Sequence, residues 1–357
     1  MNKIKIGITV GDINGIGLEV ILKTLANSYL RNFCIPIIYG SSKVVAYHKN
    51  MVDVDDFHFQ SQVSADRVHK DKVNVVNCWE DTVDIQLGRC CEEGGKYAFR
   101  SLQWATADLK VGLIDALVTA PINKKAMQLA QFPFPGHTEY LSQELEGNSL
   151  MLMVNDSLRI GVVTNHIPLK DVAGKITKKL VISKLRSMSQ SLKIDFGIER
   201  PLIAVLALNP HASDDGVIGD EEEKIIRPAI IECKKHGMMA MGPFPADGFF
   251  GSGEFKKYDG IMAMYHDQGL VPFKTLSFGN GVNFTAGLSR IRTSPDHGTG
   301  FDIVGKNMAD PSSFRQALFS ALDIVRSRNM YYETRDNPLE QHEVKGEDTD
   351  PKELAES

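Results

Sequence analysis

The 357-residue sequence lacks the features that mark several large classes of protein. Its five cysteines are odd in number, irregular in spacing and without a Cys-x-x-Cys pair, which argues against a disulfide framework and cysteine-bound zinc. No apolar run approaches the roughly 20 residues of a membrane span, and the N-terminal run is too short for a signal peptide. The 45 acidic and 40 basic residues show no basic bias. We therefore expect a cytoplasmic protein that binds neither membranes nor nucleic acid.

Two common nucleotide-binding signatures are also missing. The string GDINGIG at residues 11–17 follows an apolar run and precedes a helical pattern. It lacks both the G-x-G-x-x-G spacing of a dinucleotide fingerprint and the lysine of a P-loop. A tight turn alone would need its glycines, so the string is weak support for a nucleotide site.

Short β-rich runs alternate with helical patterns along most of the chain. They predict strands at residues 4–10, 35–39, 73–76, 116–119, 159–163, 203–208 and 260–264. Helical patterns lie between them, for example at residues 18–30, 96–109, 178–192 and 221–236. This alternation is typical of an α/β fold with a mostly parallel sheet, and the chain length favours two domains.

Three histidines each come directly after a predicted strand. They are His166, His211 and His266, in the strings VVTNHIPL, LALNPHAS and MAMYHDQG. Ligands gather beyond the carboxyl ends of parallel strands, and three imidazoles with an open position suit a catalytic metal. Any single histidine is more often a loop or core residue, so spacing alone leaves both interpretations equally open. Asp247 and Asp267 are nearby candidates for supporting the metal ligands or moving protons, although aspartate is also a common turn residue.

Two further segments carry groups suited to an anion. Lys274, Asn283 and Arg292 fall within a short stretch whose interleaved aromatic residues argue against a purely exposed loop. The alternative is that both cations are ordinary surface charges. His137 and Thr138, in PFPGHTEYL, form another polar patch, or simply cap a helix that begins nearby.

Several strings together resemble the 4-hydroxythreonine-4-phosphate dehydrogenase family of vitamin B6 biosynthesis. They are TAPINKKAM, PGHTEYL, TNHIPL, ALNPHA, GPFPAD, YHDQGLVPFK and RTSPDHGTGFDI, and the resemblance extends from about residue 3 to about residue 325. There are departures: the family's usual GDPAGIG is GDINGIG here, and its ALNPHAGEGG is ALNPHASDDG. They bear on substrate preference, because a sister group acts on threonate and erythronate phosphates.

The resemblance implies a fold like that of isocitrate and isopropylmalate dehydrogenases, with two α/β domains and the active site in the cleft between them. We expect residues 1–128 plus 284–332 to form the cofactor-side domain. Residues 129–283 would carry the metal, the substrate and the dimer contacts, and residues 333–357 would be an acidic, disordered tail. The family works as a homodimer whose active site spans the interface, with one metal histidine coming from the partner subunit.

The resemblance also implies a reaction. A phosphorylated hydroxy acid is oxidised by NAD or NADP with the help of a divalent metal, zinc, magnesium or cobalt, and the 3-oxo acid then loses CO₂. The residues implied for the substrate are His137, Thr138, Lys274, Asn283 and Arg292, and those for the metal are His166, His211 and His266. The residues implied for the cofactor are His297, Gly298 and Asp302. The candidates for the base are Asp247, His137 and Lys124. A three-histidine hydrolase that needs no NAD, and a non-catalytic anion-binding protein, stay open as alternatives.

Overall fold

The computed structural model describes residues 3–54, 57–277 and 279–337. Within these ranges twelve strands form one continuous sheet. The strands are β1 Ile4–Thr9, β2 Cys34–Gly40, β3 Phe59–Gln62, β4 Val73–Asn77, β5 Ala116–Thr119, β6 Gly147–Val154, β7 Arg159–Val162, β8 Leu202–Leu206, β9 Met239–Phe244, β10 Gly260–Ala263, β11 Val282–Leu288 and β12 Ile291–Pro295.

Helices connect most of these strands. They are α1 Gly17–Leu25, α2 Leu30–Phe33, α3 Ser42–Lys49, α4 Glu92–Val111, α5 Lys124–Leu129, α6 His137–Glu144, α7 Leu169–Lys175, α8 Lys178–Ile194, α9 Arg227–Lys235, α10 Ala246–Gly251, α11 His266–Ser277 and α12 Ser312–Glu333. A π-helical turn, Glu222–Ile226, leads into α9. The helix predicted at residues 18–30 ends earlier, at Leu25, and a separate short helix follows it.

The sheet consists of two parallel blocks that run in opposite directions. Its order is β3-β4-β2-β1-β5-β12-β11-β6-β7-β10-β8-β9. The block from β3 to β12 is parallel, as is the block from β7 to β9. Antiparallel pairing through β11 and β6 joins the two blocks. The predicted α/β fold with a mostly parallel sheet is confirmed.

The strands of the parallel blocks are apolar because helices cover the sheet. Every residue of β2 and of β5 is buried, as expected for strands that have no solvent-facing side. Helix α12 packs on β12, β5 and β1, while α8 packs on β6 and β11.

The side chains of the joining strand β6 alternate between two apolar cores, one on each face of the sheet. In β6, Leu150 and Leu152 belong to the main core, whereas Met151 and Met153 belong to a second, smaller core with residues of α10 and α11. This is the two-residue period of a strand. The face that carries Met151 and Met153 is the one that holds the candidate site.

The sequence predicts a disordered tail from residue 333 and a division of the chain into two domains. Helix α12 ends at Glu333, the first residue of the expected tail, and residues 338–357 lie outside the described residues. The division into residues 1–128 plus 284–332 and residues 129–283 stays a prediction. In the part of the chain that the structure describes, no helix combines the length and the apolar character needed to cross a membrane.

Candidate active site

A pocket of about 460 Å³ lies where β5 and β12 end and where α5, α6 and α11 begin. It brings together residues from five of the strings that carry the family resemblance, and Asn283 from outside them. The predicted residues that line it are His137, Thr138, Lys274, Asn283 and Arg292 for the substrate, His166 and His266 for the metal, His297 and Gly298 for the cofactor, and Lys124 for proton transfer.

Arg292 is a buried cation on the sheet side of this pocket, with only 3% of its surface exposed. Its Nε and Nη2 donate to Thr119 Oγ1 at 2.9 and 2.6 Å, and its Nη1 donates to Thr285 Oγ1 at 3.2 Å. Burial lowers the pKa of Arg292 to about 10, partly opposed by the charge of Glu139. Within the described residues, the hydrogen bonds of its side chain go to neutral hydroxyls. Because a buried charge without an opposite charge is costly, this arrangement suits the binding of an anion.

Two neighbouring polar atoms are buried without a hydrogen-bond partner among the described residues: His137 Nε2 and Asn283 Oδ1. Burial, and next the charge of Arg292, lower the pKa of His137 well below its usual value, so its imidazole is neutral at pH 7. Lys274 is half exposed and lies 3.0 Å from Asp296 Oδ1 through its Nζ. Since buried polar groups are normally paired, these atoms fit a polar ligand in the pocket.

His166 and His266 face one another across the pocket, with ring centroids 5.4 Å apart. Nδ1 of His266 lies 2.7 Å from Asp267 Oδ1, and Nδ1 of His166 lies 3.8 Å from Glu139 Oε1. The nearby imidazole of His166 is the main cause that lowers the pKa of Glu139. Each imidazole thus turns Nδ1 towards a carboxylate and keeps Nε2 for another partner, as metal-binding histidines do. The pair fits two ligands of a divalent metal.

His211 is not part of this pocket. It is exposed and lines a second cavity, of about 940 Å³, together with Asp247 and Asp267. Nowhere in the described ranges do three His, Cys, Asp or Glu side chains come close enough together to hold a metal ion. Within the described residues, the pocket therefore contains two of the three predicted metal histidines, His166 and His266, and His211 lies outside it.

An unusual backbone carries His211. Residues 211–215 all have positive φ angles, between 48° and 70°, although none of them is glycine. Leu208 and Asn209 come just before this turn, and their backbone N–H groups both donate, at 2.8 Å, to the fully buried carboxylate of Glu222. Left-handed residues cost roughly 1–2 kcal/mol each, and such strain gathers at functional sites.

The expected cofactor loop packs against the GDINGIG string. The backbone N–H of Ile16 donates to the Thr299 carbonyl at 2.9 Å, and a Cβ on Gly15 would lie 2.7 Å from the same oxygen. Position 15 therefore needs glycine for a close approach between the loops. His297 Nε2 is buried without a partner among the described residues and fits a polar ligand, whereas Asp302 is exposed and lies outside the pocket.

Sequence reasoning missed three residues of this pocket and its wall. Glu139 stands two positions after His137 in PGHTEYL, and that proximity was the available signal. Thr119 begins the string TAPINKKAM at the end of a predicted strand, which was a signal, whereas Thr285 gave none, because threonine is a common residue in any strand.

Comparison with known proteins places these features in a family context. A profile described as pyridoxal phosphate biosynthetic protein PdxA matches residues 32–321. A 4-hydroxythreonine-4-phosphate dehydrogenase of Bacteroides thetaiotaomicron is 49% identical over 352 residues, which is 98% of this chain and 96% of that protein. A "Putative D-threonate 4-phosphate dehydrogenase" of Oceanobacillus iheyensis is 36% identical over 329 residues, or 90% and 98% of the two chains. The crystal structure of 4-hydroxythreonine-4-phosphate dehydrogenase from Klebsiella pneumoniae has a TM-score of 0.80 at 33% identity, covering 91% of this chain and 98% of that one.

Proposed function

Because the chain belongs to the pyridoxal phosphate biosynthetic protein PdxA family, we propose that it is a dehydrogenase that oxidises 4-phosphooxy-L-threonine with NAD or NADP and a divalent metal ion. The 3-oxo acid formed then loses CO₂ to give 3-amino-2-oxopropyl phosphate. One observation carries this proposal beyond the relatives' names. The buried Arg292, whose side chain is hydrogen-bonded among the described residues to hydroxyls alone, shares a pocket with the facing imidazoles of His166 and His266.

The anionic groups of the substrate would bind at the sheet side of the pocket. Arg292 offers a fixed guanidinium there, which suits the planar, two-point recognition of phosphate or carboxylate. His137 and Asn283 each add a buried polar atom that has no hydrogen-bond partner among the described residues. Lys274 and Thr138 line the same pocket and supply further donors.

We propose that His166 and His266 of one chain, with His211 of a second copy in a homodimer, hold the metal. When bound, such an ion supplies Lewis acidity that lowers the pKa of an alcohol and stabilises developing negative charge. Imidazole donors favour zinc or cobalt over magnesium. The carboxylates of Glu139 and Asp267 keep the imidazoles oriented for this task.

The proton of the substrate hydroxyl needs an acceptor. His137 is a weak base because burial lowers its pKa. Lys124 begins α5 next to the Asn123 cap and lines the pocket in the same chain. Asp247 lies beside His211 and would enter the shared site with it. We therefore keep Lys124 and Asp247 as the proposed proton acceptors.

A nicotinamide cofactor, when bound, would supply the hydride acceptor that this oxidation needs. We propose that His297 and Gly298, which line the pocket, contact it. Asp302 is exposed outside the pocket, so its proposed contact is with a more distant part of the cofactor.

A second candidate substrate is D-threonate or D-erythronate 4-phosphate. The name of the Oceanobacillus iheyensis relative favours it, as does the departure of ALNPHASDDG from the usual string. The chemistry at the alcohol and the phosphate would be unchanged, and only the group beside the carboxylate would differ.

The test is an assay of NADH or NADPH absorbance with each phosphorylated substrate, with and without a chelator. We expect the highest kcat/KM with 4-phosphooxy-L-threonine, loss of turnover with chelator, and recovery when zinc or cobalt is added back. A higher kcat/KM with D-threonate 4-phosphate would instead establish the second candidate. Hydrolysis without NAD(P) would favour the three-histidine hydrolase, and phosphate binding without any turnover would favour a binding protein.

A further inference from the structure

Two threonine hydroxyls hold Arg292 where most buried arginines would have a carboxylate. Thr119 Oγ1 accepts two of its N–H groups, and Thr285 Oγ1 accepts a third. We propose that Thr119 and Thr285 are positioning residues, which fix Arg292 for the phosphate group of the substrate without neutralising its charge. This inference rests on the proposed function, since it takes Arg292 to be the anion-binding residue.

The sheet register explains how three residues distant in sequence meet. Strands β5, β12 and β11 are neighbours, and Thr293 of β12 lies opposite Val118 and Phe284. Side chains alternate between the faces of a strand, so Arg292, Thr119 and Thr285 share the other face. That face is the floor of the pocket. Thr119 and Thr285 are both fully buried, so water does not replace their hydroxyls.

The choice of hydroxyls matters for charge. A carboxylate at position 119 or 285 would form an ion pair with Arg292 and compete with an anionic ligand. A hydroxyl accepts the same hydrogen bonds without adding charge. The nearest acid that acts on Arg292 is Glu139, whose carboxylate is turned to His166.

The hydrogen bonds to the two threonines also leave some N–H groups of Arg292 available for the substrate. A guanidinium has five N–H groups, and the threonines take three of them. Among the described residues this leaves one N–H on each terminal nitrogen for an anionic ligand such as phosphate. Because the side chain is already fixed, binding costs little further conformational entropy.

The test replaces each hydroxyl with a methyl group of the same shape. Thr119→Val removes two hydrogen bonds to a charged group, so KM for 4-phosphooxy-L-threonine should rise by about tenfold or more. The inhibition constant of inorganic phosphate should rise in parallel, while kcat changes much less. Thr285→Val removes one longer bond and should have a smaller effect. Thr119→Ser keeps the hydroxyl and should restore KM to near the wild-type value.

Thr293→Val is the matched control. Thr293 is also buried and adjacent to Arg292 in sequence, but its hydroxyl donates to the Ala317 carbonyl on the opposite face. It should alter stability without altering KM or phosphate inhibition. If Thr293→Val raises KM as much as Thr119→Val, or if Thr119→Ser behaves like Thr119→Val, the positioning role is overturned.

Arg292→Ala separates this inference from the proposed function. It should weaken phosphate inhibition more than either threonine variant does. If Arg292→Ala weakens inhibition but Thr119→Val does not, the positioning role alone is wrong. If Arg292→Ala leaves inhibition unchanged, the anion pocket of the proposed function is wrong as well.

Discussion

Asp12, in the loop after β1, has a carboxyl group buried in an unusual setting. The residue is 1% exposed, and its Oδ2 has no hydrogen-bond partner among the described residues. Oδ1 accepts the N–H of Asn14 at 2.9 Å, and a Cβ on Gly94 would lie 2.5 Å from it. Burial raises the pKa of Asp12 from 3.8 to about 6, against a smaller opposite effect of the Asn14 hydrogen bond.

This raised pKa predicts a specific dependence of stability on pH. The folded state holds the proton more tightly than the unfolded state, so the contribution is complete below the unfolded pKa of 3.8 and lost as pH rises through about 6. The loss is at most about 3 kcal/mol at neutral pH. Asp12→Asn mimics the protonated acid and should be more stable than the wild type at pH 8 but close to it at pH 4, just above the unfolded pKa. Urea unfolding of both proteins at pH 4, 6 and 8 measures the difference, and a constant difference would contradict the prediction.

The residues of the candidate site also show which functional side chains could be predicted from the sequence and which could not. His137, Lys274 and Arg292 could be proposed because recognisable strings surround them and their side chains bear functional groups. Thr119 and Thr285 could not, because their role exists only once β5, β12 and β11 become neighbours. Thr119 does begin the string TAPINKKAM, but side-chain chemistry does not distinguish a threonine that holds an arginine from the many threonines that merely favour strands.

At the scale of elements, the turn that presents His211 has the longest run of non-glycine residues with positive φ among the described residues. Ser213 has a φ of 70°, and its fully buried hydroxyl has no hydrogen-bond partner among the described residues. The family's usual string, ALNPHAGEGG, has glycine at this position. Glycine adopts positive φ without the steric cost that a Cβ imposes.

Ser213→Gly should therefore stabilise the protein. Relief of the left-handed strain and of the unpaired hydroxyl should exceed the extra freedom that glycine gives the unfolded chain, for a net gain of roughly 0.5–1 kcal/mol. Thermal and urea unfolding check this value. Ser183→Gly in helix α8 is the control and should destabilise by about 0.5–1 kcal/mol. Equal losses in both variants would mean that the turn is not strained at Ser213.

The elements themselves were predictable to different degrees. All seven predicted strands are present, because buried parallel strands are continuous apolar runs bounded by turn residues. The strands β3, β6, β9, β11 and β12 were not predicted. The run LMLM in β6 suits a helix as well as a strand, and β11 is interrupted by Gly287 at a register shift. Pairing with neighbours, which no local pattern reveals, decides the conformation of such segments.

For the whole molecule, the separation of His211 from the other two histidines is the central fact. The cavity beside His211 is lined in part by apolar side chains of α11, and Val271 and Leu276 are 60% and 42% exposed. Exposed apolar surface next to polar functional groups is a common feature of subunit interfaces. The separation of His211 from the other two histidines and the exposed apolar surface beside it are both expected of a homodimer in which His211 enters the partner's pocket.

Mixing inactive variants tests this arrangement directly. If His211 acts in the partner's site, a heterodimer of His211→Ala and His166→Ala chains has one site with every histidine intact and one site with two lesions. Denaturing and refolding the two variants together in equal amounts should then recover roughly one quarter of the wild-type activity, from statistical assortment of two-fold symmetric dimers.

The control mixture uses the two histidines that share a pocket. His166→Ala and His266→Ala chains place their lesions on the same side of the interface, so every site in their heterodimer keeps one lesion and no activity should return. Recovery in the first mixture and not in the second requires that His211, and neither of the other two histidines, crosses the interface. If neither mixture recovers activity while refolded wild-type protein does, all three histidines act within one chain, and the chain must then close His211 onto the pocket by a movement of its own.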